Sequence, residues 1–493
     1  MERPLLTTTQ SLSDIASLVG SSLSSHDCKI TGLTNNSSAV EPGDIFLALP
    51  GEKVHGASFV KDAKSRGAVA VLTDKKGAEL SQDLPTVVVA NPRKSAGDVS
   101  AWFYSEPMRD LFSVGITGTN GKTTTTTLLH QIWMGAHRES GLIGTVETRI
   151  GTEVLASART TPESCDLQSL IAVMRERHLR NVAVEVSSHS LTLHRIQGSH
   201  FNIVGFTNLT QDHLDFHVDM EDYYLAKKQL FTFEFADLAV INIDTEIGLR
   251  LSREIELPFL SLSRTSTSAD WSYQSATPTN HGTEISIRGT GGVLIEGILP
   301  LHGEFNLDNA LMAIAIAVQS GVDPIEIASL LPQLRGAQGR FESVNVGQQF
   351  HCFVDYAHTP DAVTQVLDAV RSMTAGKVIG VLGCGGDRDK SKRHLMGLAL
   401  LQGCDVAIFT SDNPRSEDPS AILKEMVGDR QIVAPHHVIV DRKQAIVQAV
   451  KSASSQDVII VLGKGHENGQ EISGVQYPFD DRLELASAIE SNS

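Results

Sequence analysis

Residues 117–123 read Thr-Gly-Thr-Asn-Gly-Lys-Thr, and each type there suits a phosphate. Gly118 and Gly121 let backbone N–H groups approach phosphate oxygens, and a following helix adds positive potential at its N-terminus. Lys122 can neutralise β- and γ-phosphate charge, while the Thr123 hydroxyl suits a magnesium ion. The strict G-x-x-x-x-G-K-[ST] pattern would place its first glycine where Ile116 stands. A plain Gly-rich turn competes poorly, because a β-like run, Leu111–Thr117, precedes the loop and a helical pattern, Thr124–Trp133, follows it.

Two further clusters each lie just beyond an apolar run: Glu185-Val-Ser-Ser-His189 and Asn208-Leu-Thr-Gln-Asp-His-Leu-Asp-Phe-His217. A carboxylate at a strand end, Glu185, offers the oxygen ligand that a hard cation wants. His213 offers nitrogen, a less common magnesium ligand, and taken alone reads as a hydrogen-bonded structural histidine. Ser187 and His189 raise nucleophilic catalysis, but the chain lacks G-x-S-x-G. Lys227 sits in the helix-like Tyr223–Leu230, where spacing alone favours a solvated lysine. Asn306 and Asn309 could face a base or cap the helix that begins beside them.

The elements that must position these groups fall into three blocks. The first has short β-like runs at 44–49, 68–72 and 86–90, and is punctuated at Asn91-Pro92. The second carries buried-strand candidates at 182–186, 203–206 and 238–243. Its helix, Asn306–Ser320, has Leu307, Leu311, Ile314 and Val318 on one face. The third follows Gly336–Gly339 and opens with Thr359-Pro360-Asp361, a helix start with Val363, Val366, Leu367 and Val370 as its buried face. Its strand candidates are 378–382, 406–410, 437–440 and 458–462. Alternating strands and helices predict an α/β protein with mainly parallel sheets. Ligands gather beyond the carboxyl ends of such strands, which is where Gly383–Asp389, Asp412–Arg415 and Gly463–Glu467 fall.

The chain has 493 residues, ample for two to four cores, and a net charge of −17 from 41 Lys+Arg and 58 Asp+Glu. That balance argues against nucleic acid or an anionic membrane as the main partner. Five scattered cysteines make neither a disulfide framework nor a CxxC zinc site. The N-terminus lacks a secretory pattern, and no apolar run approaches the ~20 residues that span a bilayer. A cytoplasmic location is the expectation.

Taken together and in order, these motifs resemble the Mur ligase family of ATP-dependent amide-forming enzymes. The resemblance rests on TGTNGKT at 117–123, EVSSH at 185–189, NLTQDHLDFH at 208–217, GEFNLDNA at 303–310, GRFE at 339–342 and DYAHTPDA at 355–362. It covers nearly the whole chain. It implies three domains: a uridine-nucleotide α/β domain at 1–95, a central P-loop ATPase at 96–336, and a Rossmann-like amino-acid domain at 337–493.

By resemblance, Gly118, Thr119, Asn120, Gly121, Lys122, Thr123 and Thr124 grip ATP. Thr123 and Glu185 lie near magnesium, and His213 near a second ion. Lys227 matches a lysine that the family carbamylates, which turns a cation into a metal-compatible anion and overrides the solvated-lysine reading. Asn309 matches an adenine contact, and Arg340 and Asp355 match nucleotide contacts from the closing domain. Thr160, Thr161, Ser187 and Arg195 match contacts to a muramoyl dipeptide, and Asn35 and Ser37 fall at uridine positions. Here the chain departs from its relatives: Asn36-Ser37-Ser38 stands where Asp-Ser-Arg is usual, and Leu193 stands where relatives can carry Gln.

GCGGDRD at 383–389, DNPR at 412–415 and GKGHE at 463–467 point to the branch that adds diaminopimelate. They nominate Arg388, Asp412, Asn413, Pro414, Arg415, Gly463 and Glu467 as amino-acid contacts. The implied reaction joins meso-diaminopimelate to the D-Glu γ-carboxylate of UDP-N-acetylmuramoyl-L-alanyl-D-glutamate, with ATP and Mg2+, through an acyl phosphate, in peptidoglycan synthesis. A monomer without nucleic-acid or membrane partners is expected. The alternatives are a lysine-adding or folylpolyglutamate-type relative, and a nucleotide sensor that has lost catalysis.

Overall fold

The computed structural model describes all residues except 1, 7, 23–25, 52, 82, 280, 281 and 493. The N-terminal sheet has four parallel strands in the order Gly32–Thr34, Asp44–Leu47, Ala70–Thr73, Thr86–Val88. Asn91 then caps the helix Pro92–Phe103, its side chain accepting from the Lys94 N–H at 3.2 Å with Pro92 at the first helical position. This helix crosses residue 95 and buries Ala96, Val99 and Phe103 in the N-terminal core.

The central sheet has eleven strands. Six consecutive ones are parallel: Ser140–Ile143, Asn181–Glu185, Phe112–Thr117, Phe201–Phe206, Ala236–Asn242 and Phe259–Ser263. The remaining five strands lie on its two flanks, mostly antiparallel. Both faces are covered, so strand residues alternate between two cores. Ala183 and Val240 enter one, beside the helices Lys122–Gly135 and Glu304–Gln319; Val182, Val184 and Ile241 enter the other. Residues 310–317 of the latter helix are all buried, so the expected single apolar face is in fact an apolar circumference.

The C-terminal sheet runs Glu342–Ser343, His351–Asp355, Val458–Leu462, Val378–Leu382, Val406–Phe409, His437–Val438, with only the first pair antiparallel. Val458, Ile460 and Leu462 face one core and Ile459 and Val461 the other, which explains the unbroken apolar run. Thr359 caps the helix Pro360–Ser372 as its sequence predicts.

Register brings the functional loops together. Glu185 pairs with Ile116, and Phe206 with Thr117, so the three loops that follow emerge at one edge. In the C-terminal sheet Asp355 and Leu382 both pair with Leu462, and Leu382 with Phe409, which aligns four loops at another. The five cysteines are free thiols.

Candidate active site

The loop 118–121 turns on Gly118 and Gly121, at φ 148° and 89°, and the helix begins at Lys122. A Cβ on Gly121 would lie 2.2 Å from Asn309 Oδ1, so only glycine lets that asparagine reach the loop. Asn309 itself comes from the long buried helix, which places it against the P-loop. Asn306 instead donates to the His302 carbonyl at 2.8 Å, at the start of its own helix. The segment after Phe206 braces the loop from the other side. Thr119 N–H donates to the Asn208 carbonyl, Asn120 N–H to Asn208 Oδ1, and Thr207 Oγ1 to the Asn120 carbonyl at 2.6 Å.

Lys122 Nζ donates to the Gly118 and Thr119 carbonyls at 2.8 and 2.9 Å. Burial pushes its pKa down, against the attraction of Glu185. Thr123 Oγ1 donates to Glu185 Oε2 at 3.1 Å, and Thr145 supplies both its N–H and its hydroxyl to the same buried carboxylate at 2.9 Å. Among the described residues, no three His, Cys, Asp or Glu side chains converge as a metal cage. Thr123 and Glu185 do offer two hard oxygens side by side. This donor set suits Mg2+, which typically takes one or two protein oxygens and completes its shell with phosphate and water.

Lys227 is 1% exposed and far from solvated. Its Nζ donates to the Gly118 carbonyl at 2.8 Å and lies 4.7 Å from the Tyr223 ring centre. Burial, followed by the nearby Lys122 charge, holds its pKa well below the ordinary lysine value. His213 adopts the left-handed region at φ 55° and packs edge-on to His189, and burial pushes its pKa down to about 3.

Asp212 joins the two domains. It accepts from Lys392 Nζ at 3.2 Å and lies 3.6 Å from His358 Nε2. Burial raises its carboxyl pKa, but His358, His213 and Lys392 outweigh that and hold it well below the usual range. These groups line a cavity of about 370 Å³ that also receives Arg388, Asp412, Asn413, Arg415, Gly463 and Glu467. Arg415 donates Nη1 to the Gly386 carbonyl at 2.6 Å, and its Nε lies 3.6 Å from Glu471. Asn413 donates Nδ2 to Glu467 Oε2 at 2.7 Å. Gly463, at φ 109°, lets Asp412 close in, since a Cβ there would meet its Oδ2 at 2.7 Å. Pro414 precedes Arg415, and its carbonyl accepts from the Glu417 N–H.

Around Glu185 the loop residues interlock. Thr161 Oγ1 donates to the Glu185 carbonyl at 2.8 Å and accepts from the Ser187 N–H, while the Thr160 and Thr145 hydroxyl oxygens lie 3.0 Å apart. Arg195 meets Glu163 at 3.0 Å, as do Arg93 at 3.0 Å and Arg159 at 2.6 Å. Asn35 and Ser37 stand half-buried at the carboxyl end of the first N-terminal strand, where Asn36 accepts from the Ser38 N–H. Arg340 stacks 4.3 Å from the Tyr356 ring centre, and among the described residues its buried Nε has no partner. Asp355 accepts from the N–H groups of Phe341 and Ala357 at 2.7 and 2.6 Å, one on each oxygen.

Family models match three stretches: "Mur ligase family, catalytic domain" at 29–99, "Mur ligase middle domain" at 116–317 and "Mur ligase, glutamate ligase domain" at 339–465. A Streptomyces avermitilis protein named UDP-N-acetylmuramoyl-L-alanyl-D-glutamate--2,6-diaminopimelate ligase is 46% identical, over 99% of this chain and 98% of its own length. The chain belongs to the Mur ligase family. A Bacillus velezensis protein of the same name is 40% identical over 94% of this chain and 95% of its own. A solved structure of such a ligase superposes with a TM-score of 0.69 at 31% identity, covering 98% of this chain and 99% of that one. MurF from Acinetobacter baumannii has a TM-score of 0.67 at 15% identity, covering 99% of each chain, and shares the fold.

Within this Mur ligase, the sequence reading names Arg195 but not its neighbours on Glu163, Arg93 and Arg159, nor Asp212, Lys392 or Lys464. Asp212 stood inside a quoted motif, and its burial between domains was the missing fact. Lys392 and Arg93 carried no local signal, because their partners lie 180 and 70 residues away.

Proposed function

We propose that this Mur ligase uses ATP to join meso-diaminopimelate to the D-Glu γ-carboxylate of UDP-N-acetylmuramoyl-L-alanyl-D-glutamate. One observation carries the reading. A P-loop with its buried Glu185 and Lys227 adjoins a cavity whose far wall holds both arginines and carboxylates. Such a wall suits an amino acid with charges of both signs at each end. The full-length relatives named above support that choice of substrates.

The γ-carboxylate attacks the ATP γ-phosphate, and ADP leaves. The amine then attacks the resulting acyl phosphate, and inorganic phosphate leaves. Carboxylate and triphosphate repel each other, so Lys122 and the amide groups of 118–123 stabilise the charge that the first step gathers. Mg2+ held by Thr123, Glu185 and the phosphates would add Lewis-acid stabilisation of that charge. A carbamylated Lys227 would add an anionic oxygen beside Gly118, and His213 a nitrogen facing the cavity. Thr160, Thr161, Ser187 and Arg195 hold the dipeptide end; Asn35 and Ser37 hold the uridine end. Asn309, Arg340 and Asp355 border the nucleotide. The salt bridge from Asp212 to Lys392 ties the central and C-terminal domains, and closure of the two over the site would keep water from the acyl phosphate.

The deciding experiment is an amino-acid panel assayed with the UDP-linked dipeptide and ATP–magnesium, with product mass as the readout. Diaminopimelate is expected as the preferred acceptor. Preference for lysine or glutamate would overturn the assignment.

A further inference from the structure

One buried cation has no part in the mechanism above. Lys464 is fully buried and stands behind the cavity wall formed by Asn413 and Glu467. Its Nζ donates to Asn413 Oδ1 at 3.1 Å, to Glu467 Oε2 at 2.9 Å and to the Gly469 carbonyl at 2.7 Å. An ammonium has three N–H donors, so all of them are used inside the protein and none remains for substrate.

The consequence runs through Asn413. Its Oδ1 also accepts from the Glu471 N–H at 2.9 Å, and two donors on that oxygen fix the amide orientation. The other end, Nδ2, must then point to Glu467 Oε2, which therefore receives two hydrogen bonds. Among the described residues nothing donates to Glu467 Oε1. One carboxylate oxygen is anchored and the other keeps its acceptor capacity.

We propose that Lys464 is a positioning residue for the amino-acid substrate: it locks Asn413 and Glu467 so that Glu467 Oε1 is held ready for a substrate ammonium. This rests on the amino-acid pocket assigned above. Removing Lys464 would leave Glu467 more negative, which by itself favours an ammonium. Orientation outweighs that gain, because Oε2 loses its direct donor and the Asn413 amide that supplies the other keeps a single anchor, the Glu471 N–H.

The test uses Lys464→Met in the full chain, with KM measured for each of the three substrates. The KM for diaminopimelate is expected to rise about tenfold or more, the scale of one lost hydrogen bond to a charged group. KM for ATP and for the UDP-linked dipeptide should stay within about twofold. In a Glu467→Gln background the same substitution should have a much smaller effect, because its route is already cut. Lys464→Gln keeps an amide donor and should recover part of the affinity; it serves equally if the methionine variant does not fold. A parallel rise in all three KM values, an unchanged diaminopimelate KM, or full additivity with Glu467→Gln would overturn the positioning role. Wild-type protein that does not use diaminopimelate at all would instead overturn the pocket assignment on which it rests.

Discussion

Lys122 and Lys227 share one acceptor: each Nζ lies 2.8 Å from the carbonyl oxygen of Gly118. Two ammonium groups on one carbonyl repel each other, and Lys227 is the more deeply enclosed. Burial and its neighbour's charge both favour the neutral amine there. A neutral amine is the form that adds carbon dioxide. Lys227 is therefore expected to be carbamylated, with a carbamate carbon visible by 13C NMR after labelling with 13C-bicarbonate. Lys227→Ala should be nearly inactive and partly rescued by a short carboxylate. An unmodified amine with full activity under carbon-dioxide depletion would reject this.

Glu185 is expected to have the complementary task, that of a metal ligand. Thr123 and Thr145 together give it three hydrogen bonds, which fix both oxygens without neutralising the charge. Glu185→Gln keeps the shape and removes the anion. It should raise the magnesium concentration required for ligation by at least about tenfold, while Lys122→Ala should abolish ligation outright. Magnesium titrations of both variants check this, and an unchanged requirement in Glu185→Gln would remove it from the metal site.

The sequence exposed most of this layout, for physical reasons that differ between elements. The P-loop was legible because its residues act locally, through Gly118, Gly121 and the helix they start. Val458–Leu462 was legible because a strand buried on both faces is apolar without interruption. Lys227 was not: a lysine on a helix of nine residues looks solvated until the strand end at Thr117 is packed over it. Asp212, Lys392 and Lys464 were hidden for the same reason, since their roles exist only once distant loops meet. Asn309 was ambiguous between a base contact and a cap, and its approach to Gly121 rules out simple capping.

His130 gives the central domain an acid sensitivity. It is buried with Nδ1 2.8 Å from Ser140 Oγ, and burial, then the Arg149 charge, pushes its pKa down to about 4 from an ordinary 6.5. The folded state thus binds fewer protons than the unfolded state between those values. Its contribution is intact above pH 6.5 and is lost as the pH falls toward about 4. A shift of this size is worth roughly 3 kcal/mol at most. Calorimetry of wild type and His130→Gln at pH 7 and pH 4.5 checks it: the stability gap between them should narrow in acid. A gap independent of pH would contradict the buried neutral imidazole.

Arg442 and Asp481 form a fully buried ion pair, with bonds of 2.7 and 2.6 Å. Arg442 also donates to the carbonyls of Ser411 and Leu462, the residues just before the Asp412 and Gly463 loops. Asp481→Asn would leave a guanidinium buried without its counter-ion, at a cost of about 3–5 kcal/mol. Replacing both by apolar residues, Arg442→Met with Asp481→Leu, should cost less than either alone. Thermal unfolding of Asp481→Asn, the two single apolar replacements and the double replacement distinguishes an ion pair from independent packing.

The final prediction concerns selection of the added amino acid. Diaminopimelate differs from lysine by a second carboxylate at its far end, so selection needs a cation in the cavity wall. Arg415 is half-buried there. Its backbone is held at φ 50° by the Glu471 carbonyl, and its Nη1 by the Gly386 carbonyl at 2.6 Å. Glu471, at 3.6 Å from Nε, balances part of the charge, while the remaining guanidinium N–H groups stay available to a planar carboxylate. Arg388 lines the same cavity. Truncating one partner of a buried charged hydrogen bond costs about 2–5 kcal/mol in binding. Arg415→Ala should therefore weaken diaminopimelate use by at least about thirtyfold and leave the KM for ATP near its wild-type value. Lysine, which lacks the far carboxylate, should lose little. Comparing kcat/KM for the two amino acids in both proteins decides the matter: equal losses for both would mean that Arg415 supports the fold of the loop and does not read the substrate.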